Sequence, residues 1–115
     1  MGTRSLTIVK DGDDECCVLY RQYDGYPTGH GVELKEFLQD FQLTNGLGLD
    51  QADQKTANGM GCLAAQVIAH FKQEAGGFYL YPSGTRDCGE EYIYIVYEDQ
   101  GQLRLMLRGG AVTFF

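Results

Sequence analysis

Apolar and polar positions alternate along this chain with two periods, that of a strand and that of a helix. "RSLTIVK" at 4–10 and "CCVLYRQY" at 16–23 predict two strands, joined by a tight turn in "DGDDE". Leu34, Phe37, Leu38 and Phe41 fall at i, i+3, i+4 and i+7, which predicts a helix ending near Phe41 or Gln42. Met60, Leu63, Ala64, Val67, Ile68 and Phe71 form the stripe of a second helix over about 60–75, with Asn58 as N-cap and Gly76-Gly77 as its stop. "GFYLYPSG", "EEYIYIVYED" and "GQLRLMLRGG" predict three more strands, with "AVTFF" continuing the last after a glycine bend. The order β-β-α-α-β-β-β predicts a single α+β domain over 1–115, an antiparallel sheet with both helices packed on one face.

The alternation also assigns faces. Ile93, Ile95 and Tyr97 share one side of their strand, and Leu103, Leu105 and Leu107 one side of the next; both sets are expected in the helix-covered core. The opposite side then gathers Tyr92, Tyr94, Arg104 and Arg108, with Val96 and Met106, into a partly exposed tyrosine–arginine surface. Such a surface suits a homodimer interface, where Tyr, Met and Arg are enriched. It equally suits a platform on which a planar ligand stacks, or a mixed outer face. The homodimer is the expectation.

Charge narrows the function classes. The 115 residues include only 9 Lys+Arg and carry a net charge of −7. Long nucleic acids are recognised chiefly through phosphate contacts from basic faces, so they are not expected partners. No apolar run reaches the roughly 20 residues of a membrane helix, and the N-terminal residues lack the apolar core of an export signal. A cytoplasmic protein with four reduced thiols, Cys16, Cys17, Cys62 and Cys88, is therefore expected.

Familiar motifs are absent. The cysteines and histidines have no zinc spacing, and an EF-hand begun at Asp11 would meet Cys16 and Gln22 where Gly and Glu are required. "GHG" and "NGLG" fit neither a dinucleotide fingerprint nor a P-loop. No metal and no cofactor are expected. His70, on the flank of the second helix, reads as a boundary residue, and Cys62 near a helix start reads only weakly as a nucleophile.

The densest chemistry lies in "LYRQYDGYPTGHG" at 19–31. Arg21 ends a strand, Asp24-Gly25 turns the chain, Tyr26 precedes a proline, and His30-Gly31 enters a helix. Gly29 and Gly31 permit close backbone approach and positive φ. Helix starts bind anions through free N–H groups, and Arg4, Arg21 and His30 add donors. Arg4, Arg21, Asp24, Tyr26 and His30 are accordingly the candidate site for a small anionic ligand such as a nucleotide signal, with the glycine-rich segment 44–59 closing over it. The bland alternative is that these groups pair locally and anchor the loop. Two other functions stay open: a protein-interaction inhibitor working through an acidic surface or the tyrosine–arginine face, and a small hydrolase using His30 with Asp24.

"TRS" at 3–5 together with "LYRQYDGYPTGHG" resembles a family of small uncharacterised proteins of bacteriophages, prophages and bacterial genomes. The likeness is clearest over 3–41 and looser in the tyrosine-rich strand near 92–97. It implies no activity. It implies a setting: a cytoplasmic accessory protein acting on a host system, with an anti-defence role among the expectations.

Overall fold

A computed structural model describes residues 2–46 and 55–108. The strands are β1 (Ser5–Asp11), β2 (Asp14–Arg21), β3 (Gln42–Thr44), β4 (Thr56–Asn58), β5 (Phe78–Tyr81), β6 (Tyr92–Asp99) and β7 (Gln102–Arg108); the helices are α1 (Val32–Leu38) and α2 (Gly59–Phe71). A π-helical turn, Pro27–Gly31, leads into α1. The fold class is α+β, as the periodicity predicts.

Five strands form one sheet in the order β5-β2-β1-β6-β7. The sheet is mixed rather than wholly antiparallel, because β6 runs parallel to β1. The physical reason is the 82–91 connection: it leaves β5 at one edge, crosses the sheet and delivers β6 to the far side of β1. The β6–β7 hairpin closes in a two-residue turn with φ of 54° at Gln100 and 78° at Gly101, the positive pair that matches strand twist. β3 and β4 form a separate short parallel pair, β3 leading into the stretch 44–59 expected to be a loop and β4 lying within it. The middle of the expected closing segment 44–59, and all of "AVTFF", lie outside the described residues.

The sheet is buried on both sides. On one side Val9, Cys17, Leu19, Tyr94, Val96, Leu103, Leu105 and Leu107 pack against Leu34 and Leu38 of α1 and Met60, Leu63, Val67 and Phe71 of α2. On the other, Leu6, Ile8, Val18 and Tyr20 cluster with their strand neighbours Tyr81 and Ile93 and with Cys88 of the 82–91 connection, which roofs this part of the outer face. That roof is latched: Arg86 donates to Glu15 at 2.7 Å, and Glu15 also accepts from the Gly84 N–H. Double-sided burial explains why β1 reads as a nearly unbroken apolar run.

The phase expected for β6 is reversed. Tyr94 pairs with Leu107, and Val96 with Leu105. Directly opposed residues share a face, so the buried leucines of β7 draw Tyr94 and Val96 inward. Ile93, Ile95 and Tyr97 therefore stand on the outer face beside Arg108, Met106 and Arg104. The expected surface of Tyr92, Tyr94, Arg104 and Arg108 does not exist as a unit. Tyr92 and Tyr94 belong to the helix side, and Tyr94 is fully buried.

Both helices are shorter than expected. α1 stops at Leu38, where Asp40 turns left-handed at φ 68°. Lys55 caps it by donating to the carbonyls of Phe37 and Gln39 at 2.7 and 2.9 Å. α2 ends at Phe71 because Lys72 is already extended. Asn58 does not cap α2 with its side chain; its Oδ1 accepts from the Gly46 N–H instead.

Candidate functional site

The polar loop after β2 is tied to the sheet at every few residues. The Gln22 N–H donates to the Gly77 carbonyl, the Gly25 N–H to the Thr3 carbonyl, and the His30 N–H to the Asp24 carbonyl. Left-handed backbone is needed at Asp24, with φ of 60°, whereas Gly31 is right-handed at −58°. The glycines serve close approach instead. A Cβ on Gly25 would lie 2.7 Å from the Ser5 Cβ, and one on Gly29 would lie 2.6 Å from the Asp24 carbonyl oxygen. Tyr26 is extended ahead of Pro27, as expected, and its hydroxyl donates to the Asp24 carboxylate at 3.3 Å.

His30 carries this loop into the core. It is 0% exposed, with its ring centroid 5.1 Å from both Phe71 and Tyr94. Nε2 lies 2.7 Å from Thr7 Oγ1 in β1, and Nδ1 lies 3.0 Å from an Arg21 guanidinium nitrogen. Guanidinium has no acceptor, so Nδ1 must offer its lone pair and Nε2 must carry the proton donated to Thr7. The imidazole is thereby fixed in one neutral tautomer. Burial, reinforced by the adjacent Arg21 cation, pushes its pKa from the ordinary 6.5 to about 3.

Arg21 is fully engaged. It donates to the Tyr23 carbonyl at 2.6 Å, to His30, and to Glu33 of α1 at 3.0 Å. Its plane also lies 5.0 Å from the Phe78 ring centroid. Tyr94 closes the knot from below, its hydroxyl donating to the Gly25 carbonyl at 2.7 Å. Desolvation raises the Tyr94 phenol well above its usual range.

Arg21, Asp24, Tyr26 and His30 are therefore brought together, but not as an open pocket. Arg4 is not among them. It lies on the outer side of the sheet, its guanidinium against Gly89 and close to Tyr20, because alternate residues of a strand face opposite ways. The acid–base pairing of His30 with Asp24 lacks access, since both imidazole nitrogens are committed inside the core. The N–H groups at the start of α1 are taken up by the π-helical turn, Gly31 donating to the Tyr26 carbonyl and Val32 to those of Pro27 and Gly29. Cys62 is half-buried and its thiol donates to Gln66. His70 stacks on Phe37 at 4.1 Å. Among the described residues, no three His, Cys, Asp or Glu side chains converge as metal ligands. No helix there is long and apolar enough to cross a membrane.

Among the described residues, the surface left open combines Arg104, Met106 and Arg108, on the outer face as the alternation of β7 predicts, with the β6 residues whose phase is reversed. Beyond the roof, the outer side of β6 and β7 presents half-buried Ile95, Tyr97, Arg104 and Met106, ending at exposed Arg108. Lys10, Gly12, Ile95, Tyr97, Glu98 and Met106 line a recess of about 250 Å³ there. Among the described residues, Arg104 and Arg108 make no ion pair and no side-chain hydrogen bond, unlike Arg21 and Arg86. The signal that completes this surface is the β6–β7 register, which fixes the phase of β6 that alternation alone did not reveal. Searches of protein-family models, curated proteins and solved structures each find no match to this chain.

Proposed function

We propose that this chain is a non-enzymatic accessory protein that binds another protein through the outer face of β6 and β7. The observation that carries this reading is the unequal cover of the sheet. The 82–91 connection roofs Leu6, Ile8, Val18 and Tyr20, while Ile95, Tyr97, Met106 and two arginines with no ion pair among the described residues lie beyond it. Apolar, aromatic and arginine side chains in one patch are the composition of interface cores. A cytoplasmic setting and a host protein as partner are part of this proposal, and a second copy of the chain would suit the same composition.

Native mass spectrometry of gently purified protein tests the proposal. The expected spectrum contains a protein–protein assembly that the double variant Arg104→Glu/Arg108→Glu loses, while its unfolding midpoint stays within a few degrees of wild type. A monomer carrying a small molecule that Arg21→Ala releases would contradict it and restore the anionic-ligand reading of the loop.

A further inference from the structure

We infer that β7 accepts an added strand from an acidic polypeptide segment whose side chains follow the pattern acidic–x–apolar–x–acidic. This rests on reading the β6–β7 surface as an interaction face, and adds the partner's chemistry and its mode of docking. Among the described residues β7 pairs only with β6, and β3, which packs near it, bonds to β4 instead, so within that set no strand bonds its other edge. Exposed sheet edges are the substrate of strand addition, in which main-chain bonds give affinity and alternate side chains give selectivity.

The alternation in β7 is strict. Leu103, Leu105 and Leu107 are buried in the helix-side core, so an incoming strand meets Arg104, Met106 and Arg108 on the outer face. Opposed side chains on adjacent strands come within about 5 Å, and opposite charges there are favourable. Two cations flanking one thioether therefore call for two carboxylates flanking one apolar side chain. Ile93, Ile95 and Tyr97 stand behind the three β7 residues and widen the apolar floor. The chain carries −7 with only 9 Lys+Arg, so the pair Arg104 and Arg108 is a local exception that favours an acidic segment at this edge. The opposite edge, β5, is only four residues long, and its Phe78 carbonyl already accepts from Lys72 at 2.7 Å.

The probe is a synthetic peptide of alternating threonines with aspartate, leucine and glutamate at its successive same-face positions, titrated into the full chain. Saturable binding is expected that weakens at least about tenfold when both acidic residues become lysine, or when Arg104→Glu/Arg108→Glu replaces the wild type. Binding also falls with added salt. The β7 amides that do not bond β6 become slow to exchange. Equal affinity for a peptide of the same composition with the alternation scrambled overturns the inference. So does protection of those β7 amides before any peptide is added. Loss of the native assembly in the charge-reversed variant, without peptide binding, rejects strand addition and leaves the surface reading standing; retention of that assembly rejects the surface reading itself.

Discussion

Replacing His30 with alanine is expected to lower the free energy of unfolding by about 3–5 kcal/mol. The ring fills space between Phe71, Phe78 and Tyr94, so truncation leaves a cavity at the junction of α2 and the sheet. It also strips the partner from Thr7, which is 1% exposed, and one acceptor from Arg21. Each orphaned buried group adds its desolvation cost to the cavity term. Small domains are stable by only about 5–15 kcal/mol, so urea unfolding should show a large drop in midpoint.

The same residue sets an acid limit. His30 is neutral in the folded state down to about pH 3, whereas in the unfolded chain it takes a proton below its ordinary 6.5. The unfolded state therefore binds more protons throughout that window. The contribution is intact above pH 6.5 and is lost as pH falls from 6.5 towards 3, reaching roughly 2–3 kcal/mol by pH 4.5. Glu15 and Glu90, whose carboxyls are held below their usual range by Arg86 and by backbone N–H groups, add losses of the same sign in stronger acid. His30→Gln should flatten the slope between pH 6.5 and 4.5 while leaving the lower limb in place. An unchanged slope in that variant would place the acid sensitivity elsewhere.

Gly25→Ala is the second large effect, at about 2–4 kcal/mol. The added methyl would meet the Ser5 Cβ at 2.7 Å and the Thr3 carbonyl at 2.9 Å, both belonging to the chain entering β1. Strand backbone flanked by two partners yields little, so the loop must lift instead. Lifting it breaks the Gly25 N–H bond to Thr3 and takes the Gly25 carbonyl away from the Tyr94 hydroxyl. Ser5→Gly removes one of the two obstructions and should recover part of the loss. A double-mutant cycle by chemical denaturation is expected to give a coupling of at least about 1 kcal/mol. Strict additivity of the two substitutions would show that the loop is not seated on Ser5.

These effects also mark what could be read in the sequence. The α+β class was legible because α2 and β7 carry clean periods and the other strands are short apolar runs bounded by turn residues. The phase of β6 was not, since "YIYIVY" is apolar on both faces and only its pairing with Leu105 and Leu107 decides which residues turn inward. The crossing segment hid for a similar reason: β1 is buried on both sides, so its sequence does not announce two separate covers. In the loop, the need for glycine at Gly29 was visible as close approach, but the source of left-handed backbone at Asp24 was not. The polar groups looked surplus because their partners are distant in sequence. His30 meets Thr7 across 23 positions, and Tyr94 reaches Gly25 across 69. A histidine beside an arginine reads as a ligand site until the strand that accepts it is known.

The central claim is that the polar loop holds the fold together and that binding belongs to the sheet face. Nitrogen-15 NMR of the His30 imidazole tests it most directly. The account predicts one neutral tautomer, protonated at Nε2, unchanged from pH 7 to about 4 and indifferent to added inorganic phosphate or nucleotide. An imidazole that titrates near its ordinary 6.5, or that shifts when phosphate is added, would contradict it and return the loop to the role of a ligand site.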